Sequence, residues 1–599
     1  MAINKFVSTR NNKRSRLIPF AGELSDGSTN FFFTNETTLD SSFTFSRNTL
    51  ATEIVDFVGT PSSRVQYSPH NLVARSTFPY TGTPAAPTGW SSLIGTGTSG
   101  PAGTTVDGSN QWSQTAAATR PALFQAVTSG LLAGVWYQVS FYLDSIVSGS
   151  VNYDNIFQIT AGSGTTIFLS EYYRNNTQIG SPNTTSAQTG RISIRFQLSA
   201  VGAGGIVIRL GLGSSGSATA SVVFSRPQLE AMLDATEQVR TYFPTPVAAS
   251  FGNARFSYDS LNKARRGLLI EGSATNLVLN SNFFPNGSGW VYTNTTVSPL
   301  STQQLPSGLN NDNVWEIDSS TGGSVESAAV TVTAGTVYTF SFWAKRASLS
   351  GSHASYRIWN NTAGNAIVAK TSYFSQLSLT AFTRVAFTFT VPAGCTSIKV
   401  APIVGDVGED VFIHLWGMQL EAGNGASSYI QTGSQQVSRA ADSLSIADIT
   451  RFNYSTTNGT LFYTGIFSKQ NVASYPVRAG FMTASDQPVF EVFTNAGLIM
   501  AAARGSSGAP EQSTAYSLNT HVRFAASFDA ALSTQEVKIS LNGGAAIASS
   551  ATGLTATFTP TRFVFGRPGY EAFFPCGLIE QVRYWPTTKS GAELTTLTA

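Results

Sequence analysis

Apolar and polar residues alternate with a period of two along most of the chain. From Trp136 to Leu143, Tyr137, Val139, Phe141 and Leu143 fall on one side and Trp136, Gln138, Ser140 and Tyr142 on the other. That pattern predicts a strand with one face against a core. Arg191 to Leu198 alternates likewise, with Ile192, Ile194, Phe196 and Leu198 inward. Clusters of Gly, Ser, Thr and Asn break up these runs at short intervals, and Asn542-Gly543 is a strong hairpin signal. Only SGAELTTL near the C-terminus reads as helical, Ser590 capping it and Glu593 standing at the capping-box position. Short strands at this spacing predict antiparallel sandwiches rather than parallel α/β sheets.

The same strands occur twice. NLVARSTF (71–78) matches NLVLNSNF (276–283), and each leads to a Gly-Trp, at 89–90 and 289–290. AGVWYQVSFYL (133–143) aligns with AGTVYTFSFWA (334–344), RISIRFQLSA (191–200) with RVAFTFTVPA (384–393), and VVFSRPQLEA (222–231) with IHLWGMQLEA (413–422). In the second copy Tyr338, Phe340, Phe342 and Ala344 take the inward face, as do Val385, Phe387, Phe389 and Val391. A slip of one residue would expose these rings, so the register is fixed. Tyr137 and Tyr338 are expected at matching core positions of the same sandwich. The expected organisation is all-β and multidomain: an arm and linker over 1–64, a first jelly-roll sandwich over 65–245, a linker over 246–275, a duplicate sandwich over 276–435, and a further sandwich over 436–599.

Composition narrows the partners. A chain of 599 residues predicts about four domains. Charged residues make up 12%, about half the usual ~25%, which argues against helical bundles and coiled coils. The net charge of +3 predicts neither nucleic-acid binding nor attraction to an anionic membrane. No stretch approaches the ~18 apolar residues of a membrane span. Cys395 and Cys576 cannot make a disulfide framework and are expected to be buried free thiols. The N-terminal Lys5, Arg10, Lys13, Arg14 and Arg16 are not followed by the apolar stretch of a secretion signal. They read instead as a basic arm for anchoring to an assembly, dispensable to the folding of the sandwiches.

Three strings resemble a signature of bacteriophage and prophage virion proteins: FTFSRNTLAT (43–52), ARFSYDS…RRGLLIEGSATNLVLNS (254–281) and WGMQLEAGNGASSYIQT…VSRAADSLSI (416–446). In that family the first string lies close before the second; here an extra sandwich separates them, as domain duplication would produce. VKISLNGG, FVFGR and GLIEQVRYWP…SGAEL resemble concanavalin A-like, laminin-G-type jelly rolls. The resemblance implies sandwiches like carbohydrate-binding modules in a non-enzymatic structural protein on the virion exterior. A tail fibre or related appendage is expected, a homotrimer joined to other virion proteins by its N-terminal arm and facing host glycans. A head or neck decoration protein and a polysaccharide-depolymerising tailspike are the alternatives; the absence of an export signal counts against a bacterial adhesin.

Candidate chemistry is sparse. GTGTSG (95–100) and GLGSSG (211–216) match a dinucleotide fingerprint but have no helix after them, so both read as loops. His70, His353, His414 and His521 are isolated, with His414 and His521 expected within strands as packing or polar-face residues. Glu230 and Glu421 recur in QLEA and read as structural; Glu271 and Glu580 are expected to pair with the nearby Arg266 or Arg583. No cofactor is expected, although a structural calcium ion is a candidate for the oxygen-rich stretch Asn310, Asn311, Asp312, Asn313 and Asp318. For glycans, which stack on exposed rings, the candidates are Tyr142, Trp343 and Trp136 on outward strand faces, and Trp112, Trp359 and Tyr356 in loop-like stretches. The competing expectation is that these rings bury against an adjoining domain or a neighbouring subunit.

Overall fold

The computed structural model describes 22–23, 28–32, 43–56 and 63–599, less short stretches of which the longest are 213–219, 259–265, 301–313, 470–476, 504–510, 552–558 and 566–575. The basic residues Lys5 to Arg16 lie outside the described residues. The fold is all-β, a series of antiparallel sandwiches.

In the first repeat the strands Gly190–Ala200, Trp136–Ser148, Ser221–Met232, Asn110–Thr115 and Thr98–Thr104 lie side by side in that order. In the second, Thr383–Thr390, Val337–Arg346, Val407–Ala422, Val314–Thr321 and Thr296–Leu300 repeat the order strand for strand. The tyrosines coincide as well. The Tyr137 hydroxyl accepts from the Leu132 N–H at 2.7 Å and that of Tyr338 from the Thr333 N–H at 3.1 Å. Each ring stacks at 25° on the phenylalanine opposite it, Phe196 or Phe389.

A second match lies where each copy closes. Asn71 donates to the carbonyls of Pro227 and Phe243 and accepts from the N–H groups of Val73 and Leu229. Asn276 does the same with Met418, Ile430, Val278 and Leu420. Ser76 meets Tyr242 and Thr245, and Ser281 meets Tyr429 and Thr432, through equivalent bonds. One buried amide thus satisfies four backbone groups that a sheet ladder leaves over. The copies differ in one strand. A tight turn returns Asn365–Ser372 beside Ser355–Asn360, whereas Thr166–Arg174 crosses to pair with Gly190–Ala200. The crossing turn interlocks with the 202–205 loop so closely that a Cβ on Gly162 would stand 2.2 Å from the Gly204 carbonyl oxygen.

The third sandwich differs from the sequence expectation. Its core strand Cys576–Trp585 pairs along one edge with Asn458–Lys469 and along the other with two segments read as arm and linker: Thr29–Phe32 and Arg266–Ile270. In the facing sheet Phe43–Ser46 pairs with Ser443–Ile446. Phe31, Phe256, Leu268 and Ile270 join its core. These short alternating segments are sheet strands because Cys576–Trp585 would otherwise leave a bare edge. The repeats have adjacent ends, bridged at Asn71 and Ser250 in the first and paired from Ala274–Asn276 to Val437–Arg439 in the second. Both repeats are therefore insertions into a host sandwich. Cys395 is buried and free as expected; the side chain of Cys576 lies outside the described residues. Gly591–Thr598 forms the helix, with the Ser590–Glu593 capping box in place.

Candidate functional site

The three strings that resemble virion proteins converge on one point. Arg47 reaches Asp442 at 2.9 Å; Arg255 reaches Asp442 at 2.5 Å and Glu271 at 2.8 Å; Arg439 reaches Glu271 at 2.6 Å. These five side chains are 0–1% exposed. Ser428 adds two donors to Glu271, and Arg255 and Arg439 also donate to the carbonyls of Thr52 and Gly272. Burial pushes both carboxyls up, but the arginines outweigh it: Glu271 is held down at about 2 and Asp442 below the usual carboxylate range. Burial brings Arg47 down to about 10. Arg255 and Arg439 hold Glu271 because strand pairing brings 255 and 439 inward; the side chain of Arg266, its expected partner, lies outside the described residues. Glu580 meets His521 at 2.8 Å. The buried cluster is a rivet between the host sandwich and the second repeat.

Three of the six aromatic candidates are inside the molecule. Trp112 lies in a strand, fully buried, and donates to Ser99 at 2.9 Å. Tyr356 also lies in a strand, stacked 3.6 Å from Phe387. Trp343 is buried among Trp416, Tyr429 and the Arg384 guanidinium, in an apolar cluster continuous with the first repeat. Tyr142, half-buried, lies between Arg226 at 3.8 Å and Arg191 at 5.4 Å. Tyr142 and Trp343 do face outward from equivalent strands, but each copy folds its own tail across that face. Arg191 links Ser140 to the Arg240 carbonyl, as Arg384 links Ser341 to the Ser427 carbonyl. The recurrence of Arg191 and Arg384 in aligned strands was the sequence signal for this cover. Trp136 is half-buried.

Trp359 is different. Its strand, Ser355–Asn360, turns Tyr356 and Ile358 to the core and Arg357 and Trp359 to the outside. Arg357 lies 4.9 Å from the centre of this ring, which is half-buried like Tyr142 and Trp136, and Lys399 is the cross-strand partner of Trp359. Glu326 bridges both cations at 3.1 Å each, and Val291, opposite Glu326, is 54% exposed. This sheet face offers an aromatic surface, an apolar neighbour and charged groups fixed in place.

Elsewhere the chemistry is structural. Asn310, Asn311, Asp312 and Asn313 lie outside the described residues, and Asp318 is an exposed strand residue opposite Thr296. Among the described residues no three His, Cys, Asp or Glu side chains are grouped to hold a metal. His70 accepts from the Ala231 N–H through Nε2 at 2.7 Å, so Nδ1 carries its proton to the Ser68 carbonyl; burial holds its pKa down at about 3. Glu421 joins Lys469 at 2.7 Å, in keeping with a structural role. Of the two glycine fingerprints, Thr98–Gly100 opens a strand rather than a loop, and Gly211 ends one. Sequence reasoning missed a cleft of about 640 Å³ where the host sandwich meets the second repeat, lined by Thr49, Thr275, Tyr338 and Ser438 among others. Its hydroxyl residues, Thr49, Ser273 and Thr275, Thr331, Thr333 and Tyr338, and Ser438, come from four distant segments, which form no local motif.

No protein-family model matches the sequence, and no curated protein does either. Among solved structures, the CBM40 module of the Ruminococcus gnavus IT-sialidase is 19% identical, over 24% of this chain and 84% of that one, with a TM-score of 0.21. The CBM22-1-CBM22-2 tandem domain of Paenibacillus barcinonensis Xyn10C is 12% identical, over 61% of this chain and 99% of that one, with a TM-score of 0.22. The tandem CBM51 modules of the family 98 glycoside hydrolase from Streptococcus pneumoniae are 14% identical, over 54% and 88%, with a TM-score of 0.17.

Proposed function

We propose that this chain is a non-enzymatic structural protein on the exterior of a bacteriophage virion, a tail fibre or related appendage. In this reading it is a homotrimer, docked to other virion proteins through the basic residues Lys5 to Arg16, and contacts host surface glycans through its sandwiches. The three virion-like strings support the structural role, since their charged residues form a buried rivet rather than a reactive site. The observation that carries the glycan contact is Trp359: a half-buried ring on an outer sheet face, beside Arg357, Lys399 and Glu326. A sugar ring lays its C–H face on such a ring while fixed charged groups hold its hydroxyls.

The test is binding of the full chain to purified host surface polysaccharide. Trp359→Ala is expected to weaken binding at least tenfold with an unchanged melting temperature, and no sugar ends are expected to be released. Unaltered binding by that variant would remove the glycan assignment, and steady release of reducing ends would overturn the non-enzymatic one.

A further inference from the structure

The face around Trp359 is cationic as well as aromatic. Glu326 accepts from the Arg357 Nη2 with one carboxylate oxygen and from the Lys399 Nζ with the other, each at 3.1 Å. Among the described residues no other acidic side chain pairs with either cation, so the group carries 2 − 1 = +1. Asp406 and Glu409, further along the chain, are engaged by Lys370 instead. The carboxylate is the more enclosed of the three, 16% exposed against 29% for each cation. Both of its oxygens are spent on the pair, while the ammonium keeps donors to spare on the outer surface.

The fold does not require this group. Ion pairs this exposed add little stability. The first copy builds the same pairing without it. Ile398 and Val400, buried on either side of Lys399, match Ile206 and Ile208, buried on either side of Val207. The first copy thus has Thr160 opposite Val207 where the second has Trp359 opposite Lys399. What the second copy adds is a guanidinium held against an indole, an ammonium across the strand and the exposed Val291 beside Glu326. That set suits a ring that presents a C–H face and a carboxylate together. A neutral sugar would use the indole and leave the surplus charge unanswered.

We propose that the Trp359 face selects acidic sugars, the carboxylate of a uronic-acid residue meeting Arg357 and Lys399 while its ring packs on Trp359. The proposal rests on the reading of Trp359 as the glycan contact and adds the class of sugar. Trigalacturonate and its full methyl ester, which share their rings and differ in charge, are the probes, titrated against the full chain by calorimetry at low salt. The acid is expected to bind at least tenfold more tightly than the ester, and the ratio to shrink as NaCl is raised. Lys399→Met is expected to weaken acid binding at least fivefold. Glu326→Gln, which frees both cations, is expected to tighten it at least threefold, a gain that a merely structural Glu326 would not give. Equal affinity for acid and ester, with both lost on Trp359→Ala, would overturn the acidic preference and leave the glycan face standing. Acid binding that survives Trp359→Ala would overturn the placement of the sugar on this face. No binding of either form at millimolar concentration, or an acid affinity unmoved by Lys399→Met, would also overturn the proposal, whereas the glycan reading is decided apart from it by the host-polysaccharide titration.

Discussion

Glu271 shows how far single residues could be read. The string around it was legible as a signature, but its partners were not, because Arg255 and Arg439 reach it through pairings formed across the fold. Removing one member of a buried ion pair strands the other, so Glu271→Ala is expected to cost about 3–5 kcal/mol, read from the urea midpoint. Acid should act on the same residues. His70, Glu271 and Asp442 all have folded pKa values below their ordinary ones, so the unfolded chain binds protons first and stability falls as pH falls. The His70 contribution is complete above its ordinary 6.5 and is lost on the way down to about 3. The Glu271 contribution is complete above 4.5 and is lost toward about 2. The melting temperature is therefore expected to decline below pH 6.5 and more steeply below 4.5. Glu271→Gln should remove much of the steeper part, and a profile unchanged by that variant would contradict the assigned cause.

At the level of strands, the period-two reading held where one face meets a core: Tyr137, Val139, Phe141 and Leu143 are all buried, as are Ile192, Ile194, Phe196 and Leu198. It could not tell an outward face from a free one, since Trp343 points outward and is still enclosed. Nor could it place Trp112 in a strand, because the flanking Asn110, Gln111, Ser113 and Gln114 have the composition of a loop. The largest difference concerns the N-terminal segment. Removing residues 1–42 takes Thr29–Phe32 from the edge of Cys576–Trp585 and leaves a hole where Phe31 packs, so the sandwiches are not indifferent to it. Phe31→Ala alone is expected to destabilise the host sandwich by about 3–5 kcal/mol. Amide hydrogen exchange of Cys576–Trp585 across a denaturant series would show it; an unshifted transition would mean that the packing of Phe31 contributes nothing.

Taken whole, the molecule is a host sandwich interrupted twice by copies of one module, with a rivet of five charges holding host to second copy and an apolar cluster joining the copies. The duplication was legible because the strings repeat in order. The nesting was not, since it depends on which distant strands share an edge. That nesting has a consequence during synthesis. Thr29–Phe32 cannot pair until Gln581–Tyr584 has left the ribosome, which at ~5–20 residues per second is a wait on the order of 30–110 s. The inserted copies close on themselves long before, each having both of its ends and its own core. The nascent chain thus passes through a stage in which two finished modules hang from an unfinished host whose first strands are exposed edges. Ribosome-bound chains stopped before Cys576 should yield two protease-resistant modules and a digested host, and adding residues 576–599 should convert the whole to a resistant form at once.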